Sequence, residues 1–131
     1  MGLDMWLEKR REVPSANPAV ARQYQVEPVI QWRKANAIHA FFEAQMPEGI
    51  ANCVEYPFGM EVIRQLVTTI VEAQEHPARA EELLPTMEGF FFGSTEYDED
   101  YWEELAETRR VLTEALERAE PDDYFIYTAW W

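Results

Sequence analysis

The residue types best suited to chemistry begin with the segment WRKANAIH, residues 32–39. If this segment is helical, four residues at i, i+4, i+7 and i+11 form one stripe beside the apolar face. They are Trp32, Asn36, His39 and Glu43, and Arg33 lies next to the first of them. An indole, a carboxamide, an imidazole and a guanidinium at neighbouring positions could stack a base and bind a phosphate. The structural alternative is that Trp32 covers the core while Asn36 and His39 make local hydrogen bonds.

A second candidate segment reads GFFFGSTEYDED, residues 89–100. Its two glycines permit unusual backbone angles or the close approach of another group. Ser94 and Thr95 add hydroxyls, and their amides at a helix N-terminus would favour an anion, although the acids that follow weaken that attraction. A ribose or an amide therefore suits this segment better than a phosphate. The candidate ligand-binding residues here are Phe92, Gly93, Ser94, Thr95, Glu96 and Tyr97.

The acids after Thr95 have a structural explanation. Thr95 and Asp98 have the spacing of a capping box, with Asp in place of the usual Glu or Gln. Acids in a first helical turn also offset the helix dipole. A Mg²⁺ or Mn²⁺ site on two of the acids at 98–100 is the alternative, because hard cations take carboxylate ligands. Adjacent acids on a helix point in different directions, so the favoured interpretation has no metal and no cofactor.

Few residues are available for metal-dependent or nucleophilic catalysis. His39 and His76 are the only histidines, and Cys53 is the only cysteine. The HExxH, glycine-rich P-loop and GxSxG patterns of zinc hydrolases, nucleotide hydrolases and serine esterases do not occur. A thiol–imidazole pair of Cys53 and His39 stays open, but a buried, inert cysteine is commoner. The sequence therefore predicts no catalytic residue.

Composition narrows the class of protein. The chain has 131 residues, of which 47% are hydrophobic and 14% aromatic, enough for one packed domain. Its net charge is -14, so it repels nucleic-acid phosphates and we expect no direct nucleic-acid partner. A protein this acidic could still bind a basic protein surface, including a surface that normally binds DNA. No apolar stretch could span a membrane, and the N-terminal charges follow the apolar residues, so we expect a cytoplasmic protein without a membrane partner.

The candidate residues must be positioned by strands and helices, and the sequence pattern predicts an α+β domain over residues 1–131. An irregular loop is predicted at about 12–28. Alternating segments predict strands at 2–10, 52–58 and 123–131, and helical spacing predicts helices at 29–46, 60–76, 77–85 and 100–120. We expect the terminal strands to pair in a small antiparallel sheet of two or three strands. Three or four helices pack with that sheet, on one of its faces.

Several sequence blocks resemble a family of small phage and bacterial proteins. The blocks are, in order, MGLDMWL, WRKANAIH, NCVEY, LLP and GFFFGSTEYDEDYWEEL; the family has MGLDMYL, WRKAN-x-IH, NC and GFFFGSTEYDE. The resemblance covers nearly the whole chain, but residues 13–31 look like an enlarged loop, and Trp6 stands where Tyr is typical. It brings no activity and no functional residue. It implies a phage-associated context, in which small proteins often counter host defence, some by sequestering nucleotide signals in oligomeric pockets.

Three functional interpretations follow, and the first is favoured. It is a non-enzymatic binder of a small polar or nucleotide-like ligand, a phage anti-defence protein in which both segments meet at one pocket. Trp130 and Trp131 near the C-terminus suggest a homo-oligomer, and the alternative is that they complete the core. The second is an acidic inhibitor of a basic partner, or a DNA mimic. The third is a metal-dependent phosphoesterase, which requires two carboxylates to converge with His39.

Overall fold

A computed structural model describes residues 2–20, 22–89 and 92–131, so two aromatics of the GFFFG block, Phe90 and Phe91, lie outside the described residues. The prediction of an α+β fold is confirmed, but the sheet has four strands rather than two or three. The strands are β1 (Asp4–Val13), β2 (Gln23–Arg33), β3 (Tyr56–Phe58) and β4 (Tyr124–Trp130). The helices are α1 (Asn36–Ala44), α2 (Met60–Glu75), α3 (Ala80–Leu83) and α4 (Glu99–Arg118), with a 3₁₀ turn at Pro77–Arg79.

The sheet is antiparallel with the strand order β2–β1–β4–β3. The predicted pairing of the terminal strands is confirmed, since β1 and β4 pair from Asp4 opposite Trp130 to Arg10 opposite Tyr124. Alternate side chains of these strands enter one core, among them Met5, Leu7, Phe125 and Tyr127. The apolar faces of α2 and α4 supply Ile63, Leu66, Ile70, Leu105 and Leu112 to the same core. This sheet-on-helix core is the frame on which the candidate residues are placed.

Two predicted boundaries are wrong at the β2–α1 junction. The helix predicted over 29–46 begins only at Asn36, and the loop predicted at about 12–28 includes strand residues at both ends. The reason is tertiary, because β1 offers a ladder to β2 from Asp4–Arg33 to Val13–Gln23, interrupted by one bulge. Lys34 then adopts a left-handed conformation, with φ 57°, and ends the strand. Trp32 therefore lies on β2 and does not share a helical stripe with Asn36 and His39.

Buried ion pairs fix the β1–β2 hairpin to the turn before β4. The Asp123 carboxylate is 5% exposed and accepts from Arg11 Nε at 2.7 Å and from the Glu120 amide at 2.8 Å. The hydrogen bond from Arg11 lowers the pKa of Asp123. Lys9 Nζ lies 3.8 Å from the same carboxylate and 3.2 Å from Glu27. The hairpin that carries Trp32 and Arg33 is thus held at a defined angle to the helices.

None of the helices formed by the described residues has the length and apolar character that crossing a membrane requires.

Candidate functional site

A cleft of about 500 Å³ opens between the β2–α1 turn, the segment before α4 and the first half of α4. Arg33, Asn36, Gly93, Ser94 and Glu96 line it, so residues of both candidate segments share one cavity. Its volume lies within the range of about 300–1,000 Å³ that is usual for small-molecule sites. Tyr101 and Leu105 of α4 add buried ring and aliphatic surface to its wall.

The charges around the cleft are unequal. Arg33 and Lys34 are its two lining bases, whereas six acids line it: Glu96, Asp98, Asp100, Glu103, Glu104 and Glu107. Glu104 is half-buried, and burial raises its pKa, with a further contribution from Glu107. The cleft therefore offers many acceptors for hydroxyl and amine donors but only one place, beside Arg33 and Lys34, that attracts an anion.

Asn36 assembles one wall of the cleft. Its side chain is 3% exposed, and Nδ2 donates to the carbonyls of Phe92 at 3.1 Å and Ser94 at 2.9 Å. Its Oδ1 accepts from the Met87 amide at 3.0 Å. These three bonds join the start of α1 to the segment between α3 and α4. The polar atoms of Asn36 thus hold this wall of the cleft in place.

Lys34 and Gly93 meet in two left-handed turns at the mouth of the cleft. Their φ angles are 57° and 87°. The Lys34 amide donates to the Leu3 carbonyl at 2.6 Å, which anchors this turn to the residue before β1. A Cβ atom on Gly93 would lie 3.0 Å from Cβ of Lys34. The second glycine of GFFFG is therefore required both by its backbone angle and by the approach of Lys34.

We expect Gly93→Ala to lower the free energy of unfolding by about 2 kcal/mol, because an L-residue is strained at this φ. Denaturant unfolding measures the loss. Gly59→Ala is the comparison, because Gly59 has φ -74° and a Cβ there meets only the end of the Glu61 side chain. Equal stability of Gly93→Ala and the unchanged protein would contradict the assigned backbone strain.

Local hydrogen bonds order the segment from Ser94 to Tyr97. Ser94 Oγ accepts from the Glu96 amide at 3.0 Å, and Thr86 Oγ1 donates to the Thr95 carbonyl at 2.9 Å. The Tyr97 hydroxyl accepts from the Thr86 amide at 3.1 Å. Thr95 and Tyr97 are therefore engaged with Thr86, while Ser94 and Glu96 remain exposed on the cleft.

The predicted Thr95–Asp98 capping box is wrong. Asp98 is itself the N-cap of α4, and its Oδ1 accepts from the Tyr101 amide at 3.2 Å. The helix starts at Glu99, four residues after Thr95, because Thr95 is held by Thr86 instead. The amides of Ser94 and Thr95 consequently do not form a helix N-terminus, and the anion site predicted there has no helical dipole.

Trp32 belongs to the core rather than to the cleft. It is 1% exposed, and Nε1 donates to Thr108 Oγ1 of α4 at 2.8 Å. Its ring lies 6.3 Å from the rings of Phe42 and Tyr127, centroid to centroid. The structural alternative, in which Trp32 covers the core, is confirmed.

His39 is fully buried behind the cleft wall. Nδ1 lies 2.7 Å from the Tyr127 hydroxyl, and Nε2 lies 3.3 Å from a Glu43 carboxylate oxygen. A carboxylate can only accept, so we place the proton on Nε2 and let the Tyr127 hydroxyl donate to Nδ1. Burial lowers the pKa of His39 to about 4 and raises that of the Tyr127 hydroxyl. At neutral pH both groups are therefore uncharged.

The rings of Phe92 and Trp131 cover His39. Their centroids lie 5.5 Å and 5.3 Å from the imidazole, in edge-on arrangements. Phe92 is 5% exposed, so its contact is with the core and not with the cleft. Trp131 is held by Asn52, whose side chain bonds both its amide and its carbonyl at 3.0 Å. Trp131 thus completes the core while remaining 38% exposed.

Among the described residues, the side chains do not form the Cys53–His39 pair or the two carboxylates beside His39 that the catalytic interpretations require. Cys53 is exposed, not buried as expected, and its Sγ contacts Asn52 Oδ1 at 3.4 Å. Glu43 is the one carboxylate within 4 Å of His39 among the described residues. Over residues 2–20, 22–89 and 92–131, no group of three or more His, Cys, Asp and Glu residues is placed to hold a metal ion.

Twelve of the residues that line the cleft were not among the candidate ligand-binding residues predicted from the sequence, and they include Lys34, Thr86, Tyr101 and Leu105. Lys34 lies next to Arg33 in WRKAN, and this position was the one sequence feature that could have indicated its place in the cleft. Thr86 follows the LLP block, but nothing in its spacing predicts the bonds to Thr95 and Tyr97. Comparison of the chain with protein-family models, with curated proteins and with solved structures found no match.

Proposed function

We propose that this protein is a non-enzymatic binder of a small, nucleotide-like ligand, which occupies the cleft between the β2–α1 turn and α4. The observation that carries the proposal is that Arg33, Gly93, Ser94 and Glu96, from two segments far apart in sequence, line one cavity of ligand size. The resemblance to phage and bacterial proteins suggests the context. A binder of this kind would sequester a nucleotide signal of host defence.

The charges of the cleft define how such a ligand would lie. Its single anionic group would face Arg33 and Lys34, whose side chains are exposed at the β2–α1 turn. Ribose hydroxyls and base amines would donate to the carboxylates of α4. Arg33 is 71% exposed and its guanidinium lies 3.8 Å from Asp4 of the neighbouring strand. A ligand at the end of the cleft would have to replace this weak pair and draw the guanidinium towards itself.

Six lining acids also set a limit on ligand charge. Each further phosphate would bring negative charge towards Glu96, Asp98 and the acids of α4. We therefore expect nucleoside monophosphates and cyclic mononucleotides to bind roughly tenfold more tightly than the matching triphosphates.

Native mass spectrometry tests the proposal. The protein, purified from cells, is measured alone and with a panel of cyclic and linear nucleotides, and we expect an unmodified nucleotide to be retained. Arg33→Ala should weaken retention about tenfold, because it removes a charge-assisted hydrogen bond. Arg64→Ala is the matched control, since Arg64 is exposed on α2 and does not line the cleft.

Two outcomes would overturn this proposal. One is the absence of uptake across the panel together with identical behaviour of the unchanged protein and Arg33→Ala. The other is conversion of the bound nucleotide, which would instead support the phosphoesterase interpretation.

A second candidate function, docking to a basic partner, is favoured by one observation. Residues 96–107 contain seven acids and no base: Glu96, Asp98, Glu99, Asp100, Glu103, Glu104 and Glu107. Glu99 is exposed and does not line the cleft. Glu99→Lys should therefore leave nucleotide retention unchanged while weakening capture of a basic partner, which separates the two functions.

A further inference from the structure

Among the described residues, the helices contribute to a core on one face of the sheet and none of them covers the other face. The helix-side core contains Met5 and Leu7 of β1 with Phe125 and Tyr127 of β4. The residues that alternate with these do not belong to that core, because successive side chains of a strand point to opposite faces. We call this second surface the open face, defined by Trp6, Gln31, Pro57, Ile126, Thr128 and Trp130. Ile126 is buried, Trp6 and Thr128 are half-buried, and the other three residues are exposed.

The open face carries a pair of neighbouring tryptophans. Trp6 of β1 and Trp130 of β4 pack edge to face, with their ring centroids 5.4 Å apart. Trp130 is 53% exposed, the largest exposure among the large hydrophobic side chains of the described residues. Trp6 pairs in register with Thr128 on one side and Gln31 on the other. Trp130 is the last residue of β4 and Trp6 the third of β1, so the pair lies towards one end of the open face. Neighbouring tryptophans that are partly exposed are typical of a protein interface rather than of a surface that stays in water.

Charge distinguishes the open face from the rest of the molecule. The charged strand residues that point the same way are three acids and two bases: Asp4, Glu8, Glu12, Arg10 and Arg33. With Glu55, which pairs with Arg10 from beside β3, the face carries four acids and two bases and its charge is -2, which leaves -12 of the total -14 for all other residues. Arg10 binds Glu8 at 3.0 Å and Glu55 at 2.7 Å, so these charges are already paired within the face.

This distribution favours a second copy of the chain as the occupant. Two copies that approach through any acidic surface repel each other, because each carries the same charge of -14. The nearly neutral open face is where two copies can meet without that cost. A basic partner would be drawn instead to α4 and its acids.

The sheet edges disfavour the other common mode of self-association. The outer strand β2 contains Pro28, and the outer strand β3 has three residues with Pro57 at its centre. Proline lacks the amide donor that edge-to-edge pairing needs. Copies are therefore expected to stack face to face, as in two packed sheets about 10 Å apart.

The area is sufficient for a weak dimer. With a rise of about 3.3 Å per residue and a strand spacing of about 4.8 Å, the four strands cover roughly 500 Å². Two copies would bury about 1,000 Å² in total, the lower limit for a specific interface.

We propose that the protein forms a symmetric dimer through the open face, with Trp6 and Trp130 of one copy packed against those of the other. Sedimentation velocity from about 1 µM to about 200 µM tests this, the range appropriate to an interface of this size. We expect a species of twice the 15.4 kDa chain mass to increase with concentration.

Two variants place a charge in the proposed interface. Trp130→Glu should raise the dissociation constant at least about 100-fold, because each copy then buries an unpaired carboxylate. Gln31→Glu keeps both tryptophans and should raise it about tenfold, since Gln31 is exposed opposite Trp6. Ala106→Glu adds the same charge at an exposed position on α4 and should leave it unchanged.

Denaturant unfolding confirms that each variant is folded before its mass is compared. A monomer throughout the concentration range would overturn the proposal and leave the open face to a different partner. Equal dissociation constants for Gln31→Glu and Ala106→Glu would also overturn it. Neither result bears on nucleotide retention, so the two proposals fail independently.

Discussion

Asn36→Ala is expected to lower the free energy of unfolding by about 3 kcal/mol, because it removes three hydrogen bonds to backbone groups, one of them buried and two partly buried. These groups are the Phe92 and Ser94 carbonyls and the Met87 amide. The loss is a large share of the roughly 5–15 kcal/mol that stabilises a domain. Denaturant unfolding measures it, and amide hydrogen exchange at Met87 should become faster. Because Gly93 and Ser94 line the cleft, nucleotide retention should fall as well.

Asn52→Ala is a matched control for this prediction. Asn52 also bonds a backbone amide and a backbone carbonyl through its side chain, both of Trp131, but it is exposed. Water can replace those bonds, so we expect a loss below about 1 kcal/mol. Similar losses for the two variants would show that burial of the Asn36 bonds does not matter.

The stability of the protein should depend on pH through His39, whose pKa in the folded state is about 4 instead of 6.5. The unfolded chain binds more protons between these values. The contribution of neutral His39 is therefore fully present above pH 6.5 and is lost as the pH falls towards 4. From about pH 7 to about pH 5 this amounts to roughly 2 kcal/mol. Glu43 can pair with a protonated imidazole, but the lowered pKa shows that burial outweighs this attraction.

Denaturant unfolding across this pH range should show a steeper decline for the unchanged protein than for His39→Gln. His76→Gln is the control, because His76 is exposed after α2 and should leave the decline unchanged. NMR gives a direct reading, with the His39 ring titrating near pH 4. Parallel pH curves for the unchanged protein and His39→Gln would contradict the assignment.

The sequence predicts best those elements whose period is set by burial on one face. The spacing of Leu105, Leu112 and Ala115 predicts α4, and the alternation of Phe125, Tyr127 and Ala129 predicts β4. In each case the apolar residues recur at the spacing of the element that buries them. Local pattern and tertiary structure agree there.

β2 could not be predicted in the same way. Most of its side chains are exposed, it contains Pro28, and its alternation is broken by a bulge. It is a strand because β1 pairs along its whole length. The left-handed Lys34 was hidden for a related reason, since its angle depends on the bond to Leu3 and the contact with Gly93. The sequence pattern therefore predicts one continuous helix over 29–46, although the chain changes there from strand β2 to helix α1.

The candidate residues were found by type, but their tasks depend on distant partners. Asn36 reaches segments 51 to 58 residues away, and His39 reaches Tyr127, 88 residues away. Spacing within one segment cannot reveal such partners. Residue type and spacing identified Arg33, Gly93 and Ser94 as candidates, and these residues do line the cleft. The same reasoning could not distinguish them from Trp32 and His39, which are buried in the core.

The pairing of β1 with β4 has a consequence for how the chain folds. Asp4 must meet Trp130, so the central pair of the sheet joins the most distant parts of the sequence. Contacts of high sequence separation slow folding, because the chain loses the entropy of a long loop before it gains the contacts. Until that loop closes, the core residues of both strands, such as Leu7 and Phe125, stay uncovered and open to aggregation. Joining the two termini by a short linker would make this pairing local and speed folding, provided that the new termini lie outside the β1–β2 hairpin.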